Sequence, residues 1–272
     1  MPDFDPVAAG RKAISEKMAS MSFLDHLEEL RRRIIWSLLA VAIGFGLCWY
    51  YVARIYAYMQ VPIMEALRNH HLDQKLVYLN PTEPFNMYLK VGFIAGVFVA
   101  SPFVLYQVWA FIAPGLYRHE KRYVMPFMFS SVGLFIAGGL FGYKMVYPAA
   151  LDFLIGYGAQ FQPMITIGEY TDLFLTIIVG LGIIFEMPIL VFFLALMGVI
   201  SAGWMWRNLR YSILVIFIIA AIVTPTTDIL NMCLFAAPMV VLYVVSIFIA
   251  WLVSPARRKA RKKKEAEASS SE

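Results

Sequence analysis

The apolar residues of this chain are concentrated in long, nearly uninterrupted blocks. An α-helix rises about 1.5 Å per residue, so about 20 apolar residues cross the roughly 30 Å hydrocarbon core of a bilayer. Six blocks meet or approach that length: residues 34–53, 91–111, 124–146, 173–199, 211–223 and 232–253. The blocks predict an all-α integral membrane protein with six transmembrane helices, of which the fifth, 211–223, is short.

The composition agrees with this class. Hydrophobic residues make up 61% of the 272 residues and charged residues 15%, against roughly 45–50% and about 25% in soluble domains. A soluble chain of this length cannot bury so much apolar surface. The blocks are also too long and too evenly apolar for a membrane β-barrel, whose strands alternate over about ten residues. Soluble enzymes, disordered scaffolds and nucleic-acid-binding modules are therefore excluded.

The basic residues predict the orientation. Most of the 23 Lys and Arg residues lie in the two termini and in the links between helices two and three and helices four and five. These parts share one face of a six-span protein, and the positive-inside rule places that face in the cytoplasm. We therefore expect a cytoplasmic segment with an amphipathic helix (1–33), a membrane domain (34–253) and a basic, disordered cytoplasmic tail (254–272) near anionic lipid headgroups.

Two adjacent carboxylates lie just before the first apolar block. Ser22 fits the N-cap of an amphipathic helix, on which Glu28 and Glu29 lie away from the apolar stripe. One interpretation is that they pair with the arginines four residues later on a wet helix face. The other is that they bind a partner.

A further carboxylate, Glu120, follows a predicted helix break at Pro114-Gly115, where aromatic residues crowd the membrane interface. Basic neighbours flank it, so a local ion pair is one interpretation. Alternatively, a carboxylate at this depth, beside Phe111, can bind the guanidinium of a partner through two hydrogen bonds.

Glu186 lies near the middle of the fourth block. An acidic residue at that depth costs about 2.5–3.5 kcal/mol on translocon-derived scales, so it should face protein or water, or be protonated. Pro188 predicts a kink beside it. Both a structural hydrogen bond and an intramembrane functional site fit this pattern.

Three weaker patterns are structural in the simplest interpretation. Asp228, in the tight turn before the sixth block, fits an N-cap of that helix. The pairs Gly92/Gly96 and Gly138/Gly142 have the small-xxx-small spacing of close helix contacts.

Motifs for catalysis, nucleotide binding or metal binding are missing from the sequence. It contains no phosphate-binding Gly-rich loop, no zinc-protease helix and no nucleophile elbow. We therefore expect no enzyme activity, cofactor or metal. The alternative function that these residues leave open is a proton-coupled secondary transporter of small solutes, with Glu186 as its proton or substrate site.

Five stretches, in order along the chain, resemble the TatC family, the core membrane subunit of the twin-arginine protein translocase. They are the stretch 23–31 (FLDHLEELR), Pro62, the stretch 106–120 (YQVWAFIAPGLYRHE), the stretch 185–188 (FEMP), and Thr224-Pro225 with Asp228. The sequence departs from many members after Asp228, where they carry Ser or Thr followed by Gln and this chain has Asn231-Met232.

The resemblance implies a curved, cupped six-helix bundle in a bacterial-type cytoplasmic membrane, where it binds signal peptides with consecutive arginines. It implies export of folded proteins by the proton-motive force, in an oligomeric complex with the single-span subunits TatB and TatA and without nucleic acid. The residues implied to bind the signal peptide are Glu29, Arg31, Phe111 and Glu120, with Glu28 as their neighbour. Glu186 is implied to lie where partner helices dock, and Pro62 and Asp228 to make structural or partner contacts.

Overall fold

The structure, a computed structural model, describes residues 6–112, 124–158, 160–161, 163–223 and 229–269. Glu120 and Asp228 lie outside them. Over these ranges the backbone forms α-helices, with one π-helical turn at Gly142–Val146 and no named strand. The helices are α1 Pro6–Tyr50, α2 Val52–Met59, α3 Val61–Asn69, α4 Glu83–Ile112, α5 Val124–Phe141, α6 Tyr147–Tyr157, α7 Ile167–Ile184, α8 Met187–Met197, α9 Ala202–Arg207, α10 Leu209–Val223 and α11 Ile229–Ser269.

The predicted all-α class with six apolar helices is confirmed. Five helical segments are long and apolar enough to cross a membrane: His26–Tyr50, Glu83–Phe111, Phe127–Tyr157, Ile167–Met197 and Met232–Leu252. The sixth, Leu209–Ile222, is shorter, as predicted for the fifth block.

The first helix differs from the prediction at its start. Ser22 does not cap a helix, because α1 runs without a break from Pro6 to Tyr50. The residues before Ser22 include four Ala together with Lys, Met and Arg, and no proline follows Pro6 within α1. These are strong helix formers, so nothing in the sequence ends the helix on the N-terminal side of Ser22.

The tail also differs. We expected 254–272 to be disordered, whereas α11 continues as helix to Ser269. Beyond the last apolar block the sequence consists largely of Ala, Arg, Lys and Glu. All four have high helix propensity, so the helix that crosses the membrane is extended rather than stopped.

Helices α2 and α3, which we call the cap, pack against α4 and α6 at one end of the bundle, in a region where the sequence pattern indicates only a connecting segment. Pro62 is buried at the start of α3, in its first turn, where a proline costs no hydrogen bond. The Tyr143 hydroxyl donates to the carbonyl oxygen of Tyr58 at 2.9 Å, and the Tyr170 hydroxyl donates to that of Met59. These bonds tie the C-terminal end of α2 to the third and fourth spans.

Glycines bring two helix pairs into close contact, as their spacing predicts. A Cβ on Gly96 of α4 would lie 2.5 Å from the backbone nitrogen of Phe45 of α1. A Cβ on Gly138 of α5 would lie 2.5 Å from the carbonyl oxygen of Leu181 of α7. Since α4 also packs on α5 and α7, it is the helix that joins α1 to the rest of the bundle.

Candidate functional site

Those residues expected to bind a signal peptide that the structure describes lie on two helices, α1 and α4, at the end of the bundle opposite the cap. The His26 ring of α1 stacks on the Phe111 ring of α4, with the ring centroids 4.5 Å apart and the planes at 17°. One and two turns along α1 lie Glu29 and Arg33, which face the same neighbouring helix. We call His26, Glu28, Glu29, Arg31, Arg32, Arg33, Gln107 and Phe111 the N-terminal site.

The Glu29 carboxylate is bound by the guanidinium of Arg33. Arg33 donates to Oε1 of Glu29 from Nε at 3.0 Å and also from Nη2. Its remaining terminal nitrogen, Nη1, donates to Oε1 of Gln107 on α4 at 3.2 Å. One of the two i,i+4 pairs expected from the sequence therefore forms, and Gln107 joins it to the next helix.

The other charged residues of the N-terminal site are open to solvent. Glu28, Arg31 and Arg32 are exposed, and among the ion pairs of the described residues there is none between Glu28 and Arg32. A cavity of about 590 Å³ lies beside them, and its described lining is Glu28, Glu29, Arg31, Arg32, Ile35 and Trp36. The N-terminal site therefore offers carboxylates beside an apolar wall in an open cavity.

Glu186 lies in a different environment, where α7 and α8 are separated by a break in the fourth span. The helix ends at Ile184 and restarts at Met187, with Pro188 in the first turn of α8, so the expected kink is confirmed. The Glu186 side chain points into the protein, and the residue is only 8% exposed.

A chain of hydrogen bonds holds the Glu186 carboxyl group. Nε1 of Trp109 on α4 donates to Oγ of Ser131 on α5 at 2.9 Å, and Oγ of Ser131 donates to Oε2 of Glu186 at 2.5 Å. Ser131 has one proton to donate, so it links the indole and the carboxyl in a single direction. We call Trp109, Ser131 and Glu186 the polar chain.

The second carboxyl oxygen of Glu186 has no such partner. Oε1 is buried and makes no hydrogen bond within the part of the chain that the structure describes. The Trp109 ring stacks on Phe193 with centroids 4.3 Å apart, and the Phe127 ring lies 5.3 Å from Phe193. The polar chain thus ends among aromatic rings with one unpaired oxygen, which is an unfavourable arrangement until a donor reaches it.

The structure brings together Glu28, Glu29, Arg31 and Phe111 and places Glu186 in the separate polar chain. Helix α4 contributes to both, because Gln107 and Phe111 are four residues apart and share the face toward α1. Trp109, midway between them in sequence, projects to the opposite side and joins the polar chain.

Sequence reasoning missed four of these residues: His26, Gln107, Trp109 and Ser131. Gln107 and Ser131 could have been recognised as candidate site residues, because each is a polar residue within or beside an apolar block. Nothing in the sequence showed that their side chains would meet Arg33 and Glu186. Among the described residues no group of three or more His, Cys, Asp or Glu could hold a metal ion.

Comparison with known proteins gives consistent matches. Residues 25–238 match the family model described as Sec-independent protein translocase protein (TatC). The chain is 71% identical over 267 residues to the Sec-independent protein translocase protein TatC of Koribacter versatilis, covering 98% of each chain. It is 37% identical to the TatC protein of Aquifex aeolicus, covering 90% of this chain and 98% of the relative.

The fold is also similar to a solved structure. A crystal structure described as the twin-arginine translocase receptor TatC matches with a TM-score of 0.76 and 37% sequence identity. The match covers 84% of this chain and 99% of the solved one.

Proposed function

Because the chain belongs to the TatC family of Sec-independent protein translocase proteins, we propose that it binds Arg-Arg signal peptides and admits folded proteins to export. Membership of the family makes it a multi-pass bacterial membrane protein and a component of the Tat translocase system, and not an enzyme. In the proposal, the peptide arginines bind at Glu29 and Glu120, with Glu28, Arg31 and Phe111 around them.

The observation that carries this proposal is the guanidinium already bound to Glu29. The carboxylate accepts two N–H groups from Arg33, and its side chain is 27% exposed. A planar guanidinium can form this paired contact, whereas a lysine ammonium offers a single point charge. A charge-assisted hydrogen bond of this kind contributes about 1.5–3 kcal/mol, so an Arg-Arg peptide is expected to bind better than a Lys-Lys peptide.

The proposed orientation places the N-terminal site in the cytoplasm, where signal peptides are made. It is supported by the distribution of Lys and Arg, which favours cytoplasmic termini. The segments 1–33 and 254–272 then lie on the cytoplasmic side of the membrane domain 34–253, and the basic tail lies near anionic lipid headgroups.

The polar chain is proposed as the docking point for the single-span partners TatB and TatA, in an oligomeric complex driven by the proton-motive force. Its support is the buried oxygen of Glu186 that makes no hydrogen bond to any residue that the structure describes. A donor on a partner helix would satisfy that oxygen, and satisfying a buried polar atom favours association by about 1–3 kcal/mol. In the same proposal, Pro62 is structural within the cap, and Asp228 makes a structural or partner contact.

Peptide binding tests the proposal. The protein in mild detergent is titrated with matched Arg-Arg and Lys-Lys signal peptides, alongside Glu120→Gln. We expect tighter binding of the Arg-Arg peptide and loss of that preference in the variant. If neither peptide binds, the titration is repeated with TatB present.

Continued absence of binding with TatB would overturn the proposal. Substrate-dependent proton flux into liposomes that contain this chain alone would replace it with the transporter alternative.

A further inference from the structure

The N-terminal site has more guanidiniums than carboxylates, which is unexpected for a receptor of a dicationic peptide. Between Glu28 and Arg33 the chain carries two glutamates and three arginines. The Glu29 carboxylate, on which the proposed function rests, is already neutralised by Arg33. An incoming arginine therefore meets a carboxylate whose Oε1 already accepts two N–H groups from Arg33.

Arg33 has a second acceptor. Its Nη1 donates to Oε1 of Gln107 on α4, while Nε and Nη2 donate to Glu29. A guanidinium held from both sides can leave Glu29 and keep its bond to Gln107. With the side chain of Arg33 19% exposed and that of Glu29 27% exposed, water can reach the pair during such an exchange.

We propose that Arg33 is a resident guanidinium that occupies Glu29 in the empty receptor and moves onto Gln107 when a signal-peptide arginine takes its place. This inference rests on the proposed function and adds a regulatory residue to the same site. The peptide arginine reproduces the contacts that Arg33 gives up, so the site exchanges one guanidinium for another.

Occupancy by Arg33 has a distinctive consequence for affinity. When a binding-competent state is only partly populated, the apparent dissociation constant of every ligand rises by the same factor. Arg33 therefore weakens the binding of Arg-Arg and Lys-Lys peptides by the same factor and leaves the ratio of their dissociation constants unchanged. Arg33 thus raises the peptide concentration that is needed for binding, and the tighter-binding peptide is the one that still binds. The preference for arginine over lysine depends on the Glu29 carboxylate itself.

The test measures both peptides on Arg33→Gln and on Arg32→Gln. The two variants remove the same charge, but Arg32 makes no ion pair with Glu29 among the described residues, so it reports the general electrostatic effect. We expect Arg33→Gln to lower the dissociation constants of both peptides by about two- to three-fold more than Arg32→Gln does. A factor of this size follows from the fraction of the protein in which an i,i+4 ion pair is formed. The ratio between the peptides should stay at the value of the unmodified protein.

Two further variants sharpen the result. Arg33→Lys keeps the charge but loses the paired N–H contact, so its affinities should fall between those of the unmodified protein and Arg33→Gln. Gln107→Leu removes the second acceptor of Arg33, so it should weaken the binding of both peptides. In a protein that already carries Arg33→Gln, the same substitution should have no effect on binding. Thermal unfolding of each variant checks that it remains folded.

Each outcome has a separate meaning. If Arg33→Gln weakens the Arg-Arg peptide or lowers its preference over Lys-Lys, Arg33 orients Glu29 and the exchange is wrong. If Arg33→Gln and Arg32→Gln act alike, only charge matters and the exchange is again wrong. If Glu29→Gln leaves Arg-Arg binding unchanged, the proposed role of Glu29 itself fails, and the exchange fails with it.

Discussion

The N-terminal site and the polar chain each contain a glutamate within reach of α4, but the two carboxyl groups are in opposite environments. Glu29 is part-exposed and paired with a guanidinium on its own helix. Glu186 is 8% exposed and accepts one hydrogen bond from Ser131, and its other oxygen has no partner among the described residues. The first can exchange one charged partner for another in contact with water.

The second carboxyl group cannot exchange with water in this way. A buried polar atom without a partner is unfavourable, and the cost persists until a donor arrives. In the proposed function, this difference separates two tasks: reversible recognition of a charged peptide at the N-terminal site and association with other apolar helices at the polar chain. Helix α4 contributes to both sites, through Gln107 and Phe111 at the first and through Trp109 at the second.

The largest expected effect comes from the contact that holds α1 on α4, the helix that the two regions share. A Cβ at Gly44 would lie 2.5 Å from the carbonyl oxygen of Gly96, whereas a Cβ at Gly46 meets nothing within 4 Å. We expect Gly44→Ala to lower the free energy of unfolding by about 1–3 kcal/mol, as overpacking does. Gly46→Ala, two residues along the same helix, should be neutral or stabilising by up to about 1 kcal/mol.

Thermal unfolding in detergent, followed by size-exclusion chromatography, measures this difference. Equal melting temperatures for the two variants would show that α1 and α4 are not in close contact at Gly44.

A second variant breaks the polar chain alone. Ser131→Ala removes the acceptor of Trp109 and the donor to Glu186, leaving buried groups unpaired. We expect a loss of about 1–3 kcal/mol in stability. Ser101 is the matched control, since it is also buried but its hydroxyl donates to the carbonyl oxygen of Phe98 in its own helix.

The same unfolding assay decides between them. Ser101→Ala should be the milder change, and peptide binding should survive in both variants. A similar loss of stability in both would mean that the polar chain contributes no more than an ordinary buried hydroxyl.

The smallest expected effect comes from a variant that disturbs the N-terminal site alone. Phe111→Leu removes the ring that stacks on His26, an interaction worth about 0.5–1.5 kcal/mol in aromatic pairs. Hydrogen exchange of the backbone near His26 should become faster by a factor of a few, while the amides around Ser131 keep their protection. Faster exchange around Ser131 as well would mean that the two regions are coupled through α4.

Much of the fold follows from the sequence, because a membrane-spanning helix needs a long apolar block and nothing else. The blocks therefore predicted six helices, and the glycine spacing predicted the contacts of Gly96 and Gly138. The helical tail and the start of α1 at Pro6 were missed, because polar helix formers carry no periodic apolar pattern. The helices of the cap were missed because they are shorter than the blocks that identify a span.

The candidate site was predictable in part. Glu186 is conspicuous as an acidic residue within an apolar block, and the four-residue spacing of Glu29 and Arg33 indicates their pair. The partners on other helices were not predictable, since the meeting of Ser131 with Glu186 and of Gln107 with Arg33 depends on helix packing rather than on spacing. These contacts across the bundle are what distinguish the two carboxyl groups.

Signal-peptide binding to two isosteric variants tests whether recognition of arginine lies in the N-terminal site and not in the polar chain. Arg-Arg and Lys-Lys peptides are titrated against the unmodified protein, Glu29→Gln and Glu186→Gln in the same detergent. We expect Glu29→Gln to lose most of the preference for Arg-Arg, while Glu186→Gln retains both the affinity and the preference. Loss of the preference in Glu186→Gln with its retention in Glu29→Gln would contradict the assignment of recognition to the N-terminal site.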